Sequence, residues 1–512
     1  MKPAAKRAKP AARLTTRSAA PSKKAPVKKA ERAVRTLETV APAGKRAAVL
    51  AGLRADEQRA LQQALTGKAT LLASSPRARD AAVFGAAAHL AQSPVLVASP
   101  RASELFEQAR AIPGLDVVAL LTAQPEAERT QARKRLLRGG SLLVVVEPAH
   151  LLDAALRQAA LKAPLALLGV AAAHACSEHA HELSPAYLSL AEAASAFGAP
   201  VLATCTRTHS AVVEQAAAAI GAGKSGVVFV RDGGPKQAAQ VVRSAERRAA
   251  LQSAIQAYGA PGIVLTATAQ EADAVLADLV ARGIAAVRAH AGMAPAEREA
   301  AIAAFASARE PLVLITQSPH ANASGLAGCP EASVGLGSAP PRADLKFLVH
   351  YQAPLSLEQH FEDSAWLPDG ASSLVLADSS DAALVQAILA QQRIKPAAIE
   401  AMAQALAQPS AARSQPETLA LRAGTSRRSA ERVLFALAER NLIVRDSGQV
   451  ARQAEPELLA AEGRLLSQRF AALRAADAGR AEAIARYVTS RHGSAPVAAQ
   501  AEAAPARSLS LS

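Results

Sequence analysis

The 512-residue chain is half apolar, only 3 % aromatic and carries a formal net charge of +15. That length leaves room for roughly two to four domains with sizeable cores, and no apolar run approaches the length that spans a bilayer. Cys176, Cys205 and Cys329 lie too far apart for a disulfide framework or a paired zinc motif, and the basic N-terminus lacks the apolar core of a secretory signal, so a reducing cytoplasm is expected.

Residues 1–47 hold fourteen Lys/Arg against two Glu, so twelve of the fifteen net positive charges sit there. This Lys-Ala-Pro stretch has almost no large apolar residue to offset ordering entropy, and it reads as a disordered basic tail. Lys23, Lys24, Lys28 and Lys29 form a dense cluster within it. Counterion release would draw such an arm to DNA or RNA; the plainer reading is a solubilising tail.

Residues 48–230 read as a first α/β domain. A helix is expected over 56–66, a strand over 69–73, a helix over 79–91 and a strand over 94–98. The apolar run 163–170 reads as a buried strand of a parallel sheet, and a further core strand covers 200–203. Gly223-Lys224-Ser225 ends like a phosphate-binding loop, but it follows a helix (212–220) and precedes a strand (227–230). That is the reverse of the order such a loop needs.

A second α/β domain is expected over 246–385. Its strands fall at 261–266, 285–288 and 312–316, its helices at 271–282 and 295–305. Residues 386–455 follow, with a helix over 419–423, a turn at Gly424, and a helix over 426–440. Ala430, Val433, Leu434 and Leu437 fall on one face of that helix; Arg428 and Arg432 lie opposite, with Arg427 on the flank. A β-hairpin over 441–450, turning at Asp446-Ser447-Gly448, suggests a winged helix. A long helix over 456–490 and a disordered end over 491–512 complete the chain.

Several segments, in order, resemble the RecQ family of superfamily 2 DNA helicases. His174, Ser177, His181, Glu182, Pro185 and Tyr187 match the stretch after the strand expected over 163–170; Val97-Ala98-Ser99-Pro100 and Glu147-Pro148-Ala149-His150-Leu151-Leu152 match earlier segments. Ala289-His290-Ala291-Gly292, Gly335-Leu336-Gly337 and Glu362, Asp369 and Gly370 match later ones. The resemblance implies two RecA-like domains facing across an ATP cleft, then a winged helix. It also shows what is missing. Ala81 and Ala82 stand where the family has its phosphate-binding lysine and magnesium-ligating hydroxyl. Ala171 and Ala172 replace its paired acids, and Ala365 and Pro368 its two arginine fingers. Glu57 takes the place of its adenine-reading glutamine. His181 falls in a loop that senses single-stranded DNA, and Ser99 and His150 at contacts to the DNA backbone. The family's four-cysteine zinc subdomain has no counterpart.

The expected fold is therefore α/β: two RecA-like parallel-sheet domains, a winged helix and a disordered basic tail. The expected function is DNA binding by a RecQ-like helicase-fold protein without ATPase activity, serving repair or recombination as a binding or regulatory factor near the nucleoid. Arg427, Arg428, Arg432, the four tail lysines and His181 are the candidate contacts. Repair or replication proteins are further candidate partners, and no membrane is involved. No catalytic residue and no cofactor are expected; ATP and magnesium belong to the alternative, an active 3′–5′ DNA helicase. A third reading is a structural interaction platform. His174, Cys176, His179 and His181 offer metal-ligand types, but the resemblance places them in a loop that holds no metal. Glu362 and Asp363 read as a solvated helix end.

Overall fold

The computed structural model describes residues 43–74, 79–206, 210–230, 236–317, 326, 342–411, 413–446 and 448–492. The apolar runs of the first half form seven strands: β1 (Thr70–Ser74), β2 (Val95–Ala98), β3 (Val117–Leu120), β4 (Leu143–Val146), β5 (Leu167–Val170), β6 (Val201–Thr206) and β7 (Val227–Phe229). They pair in the order β3-β4-β2-β5-β6-β1-β7, all parallel. Alternate residues feed opposite faces, as the two-residue period of a strand requires. Leu71, Leu96, Val144 and Leu168 enter one core, and Leu72, Val97, Val145 and Leu167 the other. A glycine is needed at 169. There a Cβ would come within 2.8 Å of the Phe84 ring and 2.7 Å of Val97, so the helix Asp80–Leu90 could not lie so close to the sheet.

The strand expected over 163–170 is shorter than the apolar run. Ala163 closes the helix Ala154–Lys162, and only Leu167–Val170 pairs. An apolar run does not distinguish a helix end from a strand start.

The second lobe has β8 (Lys236–Val241), β9 (Gly262–Thr266), β10 (Ala286–Ala289), β11 (Val313–Gln317), β12 (Phe347–His350) and β13 (Ser372–Ala377). Their order is β10-β11-β9-β12-β13-β8, again parallel throughout. β8 lies ahead of Glu246 and is polar at its ends, as an edge strand can be. Its Val241 N–H donates to His492 Nδ1 at 3.1 Å, and His492 makes an isolated parallel bridge with Ala239.

The remaining region contains helices Pro396–Ala407, Pro416–Arg422 and Arg427–Glu439. With them is an antiparallel sheet of β14 (Arg413–Ser414), β15 (Ile443–Asp446) and β16 (Gln449–Arg452), ordered β14-β16-β15. Gly424 takes φ +60° between the second and third helices, a left-handed turn that suits glycine. Ser426 caps the third helix, its Oγ accepting from Ser429 N–H. Ala430, Val433, Leu434 and Leu437 are fully buried, meeting Met402, Leu419 and Val450 in one core.

The single helix expected over 456–490 is two, Pro456–Ala475 and Asp477–Arg491. At the break the Asp477 carboxylate turns inward to Arg393, while Arg480 donates to Leu473 O in the last turn of the preceding helix. Among the described residues no helix is long and apolar enough to cross a membrane.

Candidate nucleotide cleft and nucleic-acid interface

At the tip of β1 the corner expected to receive a nucleotide is filled by side chains of the chain itself. Arg79 donates from Nε to Glu57 Oε1 (2.9 Å) and from Nη2 to Glu57 Oε2 (2.5 Å), a two-pronged pair, and reaches Gly52 O at 3.2 Å. Glu57 is fully buried and also accepts from Arg54 N–H at 2.8 Å. Gln58 donates to Leu50 O and Leu53 O, so its amide is turned inward as well. Asp80 follows, half-buried beside Thr204; burial pushes its carboxyl up to about 7, against the Thr204 hydrogen bond and with help from the Glu57 charge. Ala81 and Ala82 open the same helix, Ala81 buried. A methyl group, a carboxyl and a committed arginine do not fit a triphosphate with magnesium. Positions 75–78 lie outside the described residues.

At the tip of β5, Ala171 is buried and Ala172 holds a left-handed backbone, φ +53°. A non-glycine residue there stores roughly 1–3 kcal/mol of strain that surrounding contacts must hold. Tyr187 supplies one of them: its single hydroxyl hydrogen is shared between Ala171 O (2.8 Å) and Ala98 O (3.0 Å). Two residues on, His174 faces the second lobe. Its Nδ1 accepts from Thr206 N–H at 3.3 Å, so Nε2 carries the hydrogen and points at Glu362 Oε1, 3.5 Å away. Thr206 Oγ1 donates to the same oxygen at 3.1 Å. Glu362 is thus buried against the first lobe and Asp363 beside His350 of its own lobe, neither on a solvated helix end. Ala365 closes their helix, Leu357–Ser364, and Pro368 lies in the exposed turn after it.

The loop after β5 is buried too, and this corrects the reading of His181. Its ring is 2 % exposed and its carbonyl accepts from Arg393 Nη1 at 2.6 Å. Arg480 donates to Glu178 O (2.9 Å) and to Ala180 O, and pairs with Asp477. Burial pulls its guanidinium down to about 10, still protonated at neutral pH. Arg440 reaches Ser189 Oγ at 2.6 Å, and Ser184 Oγ donates to Glu439 Oε2 at 3.2 Å. Burial pushes Glu439 up to about 8, with the Glu147 charge adding to it. A histidine wrapped in this way offers no face to a strand of DNA. Ser99 is likewise buried, and burial lowers the His150 imidazole. Among the described residues no three of His, Cys, Asp and Glu gather into a metal-holding group.

Helix Arg427–Glu439 divides its three arginines. Arg427 is exposed and pairs with Glu417 at 3.1 Å, and Arg428 is exposed. Arg432 is 6 % exposed and donates to Gln391 O and Gln392 O, the last carbonyls of the helix Asp381–Gln392. It is a helix cap, not a phosphate contact. Lys23, Lys24, Lys28 and Lys29 lie outside the described residues, as do 335–337.

No family model matches the chain. A curated relative does, "Putative ATP-dependent DNA helicase Q1" of Caenorhabditis briggsae, 22 % identical over 299 residues, covering 54 % of this chain and 44 % of the relative. The chain is similar to a RecQ-type DNA helicase. Less than half of that relative's length is spanned by the match. Solved structures that overlap it include a DEAD box protein from Methanococcus jannaschii (14 % identity, TM-score 0.43, covering 66 % of this chain and 90 % of that one). Another is the DUF1998 helicase MrfA bound to DNA and AMPPNP (12 %, TM-score 0.46, 80 % and 62 %). Neither the Arg79–Glu57 pair nor the Glu362 bridge was foreseen from the residues. The only prior signal was the resemblance register, which put Glu57 at a ligand-reading position and kept Glu362.

Proposed function

We propose that this helicase-fold protein binds DNA without hydrolysing ATP and serves repair or recombination as a binding or regulatory factor, near the nucleoid. The observation that carries the reading is the Arg79–Glu57 pair standing in the nucleotide corner beside Asp80. Phosphoryl transfer is catalysed largely by positioning and electrostatic stabilisation, and here Arg79, just ahead of the helix Asp80–Leu90, is neutralised by an ion pair. Residues 413–452 are read as a winged helix, with Arg427 and Arg428 as its exposed phosphate contacts, and residues 1–47 as the main electrostatic arm.

Calorimetry with magnesium-ATP, together with DNA-stimulated turnover, tests the first half: no binding heat and no turnover above background are expected. Turnover that disappears when a cleft residue is changed would restore the active-helicase reading. Deleting residues 1–47 tests the second half and should weaken DNA binding and flatten its salt dependence. An unchanged salt slope would move the site to the folded body.

A further inference from the structure

We propose that the two parallel-sheet lobes are held permanently closed on each other by side chains, so that the cleft needs no ligand to close and none opens it. This goes beyond the absence of hydrolysis, which says nothing about how the lobes are held.

Two independent ties carry the inference. The first crosses the cleft itself. Glu362, on the second lobe's helix Leu357–Ser364, accepts from Thr206 Oγ1 at 3.1 Å and lies 3.5 Å from His174 Nε2, both groups of the first lobe. The helix that carries it is buried along most of its length, from Glu358 to Ser364 save Phe361. A buried carboxylate is costly unless hydrogen-bonded, and two of its contacts here come from the other lobe. Opening the cleft would therefore break both of them. At the tip of β1, Arg79 is committed to Glu57 in a two-pronged pair.

The second tie runs along the helix Asp477–Arg491. Near its start Arg480 donates to Glu178 O and Ala180 O of the first lobe. Two turns on, Tyr487 donates to Gln237 Oε1 at 2.8 Å and lies 3.1 Å from His360 Nε2, both in the second lobe. One rigid helix about 10 Å long between these two side chains grips both lobes, and a helix does not stretch. Hinge motion would have to break one end.

Hydrogen exchange on the full chain, with and without magnesium and a non-hydrolysable ATP analogue, tests this. Amides of 201–206 and 357–364, which face each other across the cleft, should exchange at the same rates in both conditions. Glu362→Ala should speed exchange at least tenfold in both segments while β9 and β11 stay protected. Glu362→Gln, which keeps an acceptor oxygen, should stay within about threefold of the parent. If Glu362→Ala fails to fold by circular dichroism, Thr206→Val gives the same reading from the other lobe. Nucleotide-dependent exchange in the parent chain, or unchanged exchange in these variants, would overturn the clamp. Binding heat without any change in exchange would sink the proposed function and leave the clamp standing. No binding heat together with variants indifferent to the change would do the reverse.

Discussion

The two arginines at the start of helix Arg427–Glu439 and the buried arginines at 393, 432 and 480 are the same chemical group put to opposite uses. Arg427 and Arg428 are exposed to solvent; Arg393, Arg432 and Arg480 are buried and spend their donors on backbone carbonyls. The difference teaches that a basic residue near an expected DNA surface says little until its facing partner is known. A guanidinium with five donors can terminate helices and pin loops as readily as it can meet phosphate.

The buried set should break first and hardest. Arg480→Ala removes three carbonyl contacts and leaves Asp477 with one buried partner fewer, so roughly 3–5 kcal/mol of stability should go. Urea unfolding measures it, and a loss below about 1 kcal/mol would mean the loop is held elsewhere. The next effect is a pH dependence at the same interface. Folding lifts the Glu439 carboxyl from its ordinary range near 4.5 to about 8, so the folded protein holds a proton that the unfolded chain has released. Stability from this group is full below about 4.5 and is lost as pH rises through 8. Glu439→Gln, which mimics the protonated form, should flatten that fall and gain about 4 kcal/mol at pH 8 relative to the parent. An equal slope in both proteins would show that Glu439 is charged in the fold.

Arg432→Ala is the sharper test of the division. It should cost about 1–2 kcal/mol through its lost carbonyl bonds and leave DNA affinity unchanged in a chain lacking residues 1–47. The smallest stability effect belongs to Arg427→Ala with Arg428→Ala, below about 0.5 kcal/mol. In the same truncated background this pair should lower the salt slope by about 0.9 per lost phosphate contact. If Arg432→Ala weakened DNA binding and the exposed pair did not, the two sets would have to change places.

Most of the architecture was legible because parallel strands buried on both faces write themselves as short apolar runs, as at Leu143–Val146. Three features were not, each because a partner distant in sequence decides it. β8, with the residues KQAAQV, takes its strand form from β13, not from its own pattern. Arg432 lies opposite the apolar stripe and is polar there by any wheel. It is buried because the far side of its helix meets the C-terminal end of Asp381–Gln392. Glu362 and Asp363 look solvated in a one-dimensional reading; the other lobe's Thr206 meets the first, and His350 of β12 lies beside the second.

The histidine at the rim of the second sheet has a consequence for self-association. A strand with one side unpaired is a template on which another molecule's strand can add, and β8 is such an end strand. His492 spends its ring nitrogen on the Val241 amide and its own backbone on a bridge to Ala239, so the vacant side is blocked by the last described turn of a helix and not by charge alone. A chain cut just before His492 would keep every strand it has and lose that guard, and concentrated solutions of it should associate edge to edge where the full protein stays dispersed.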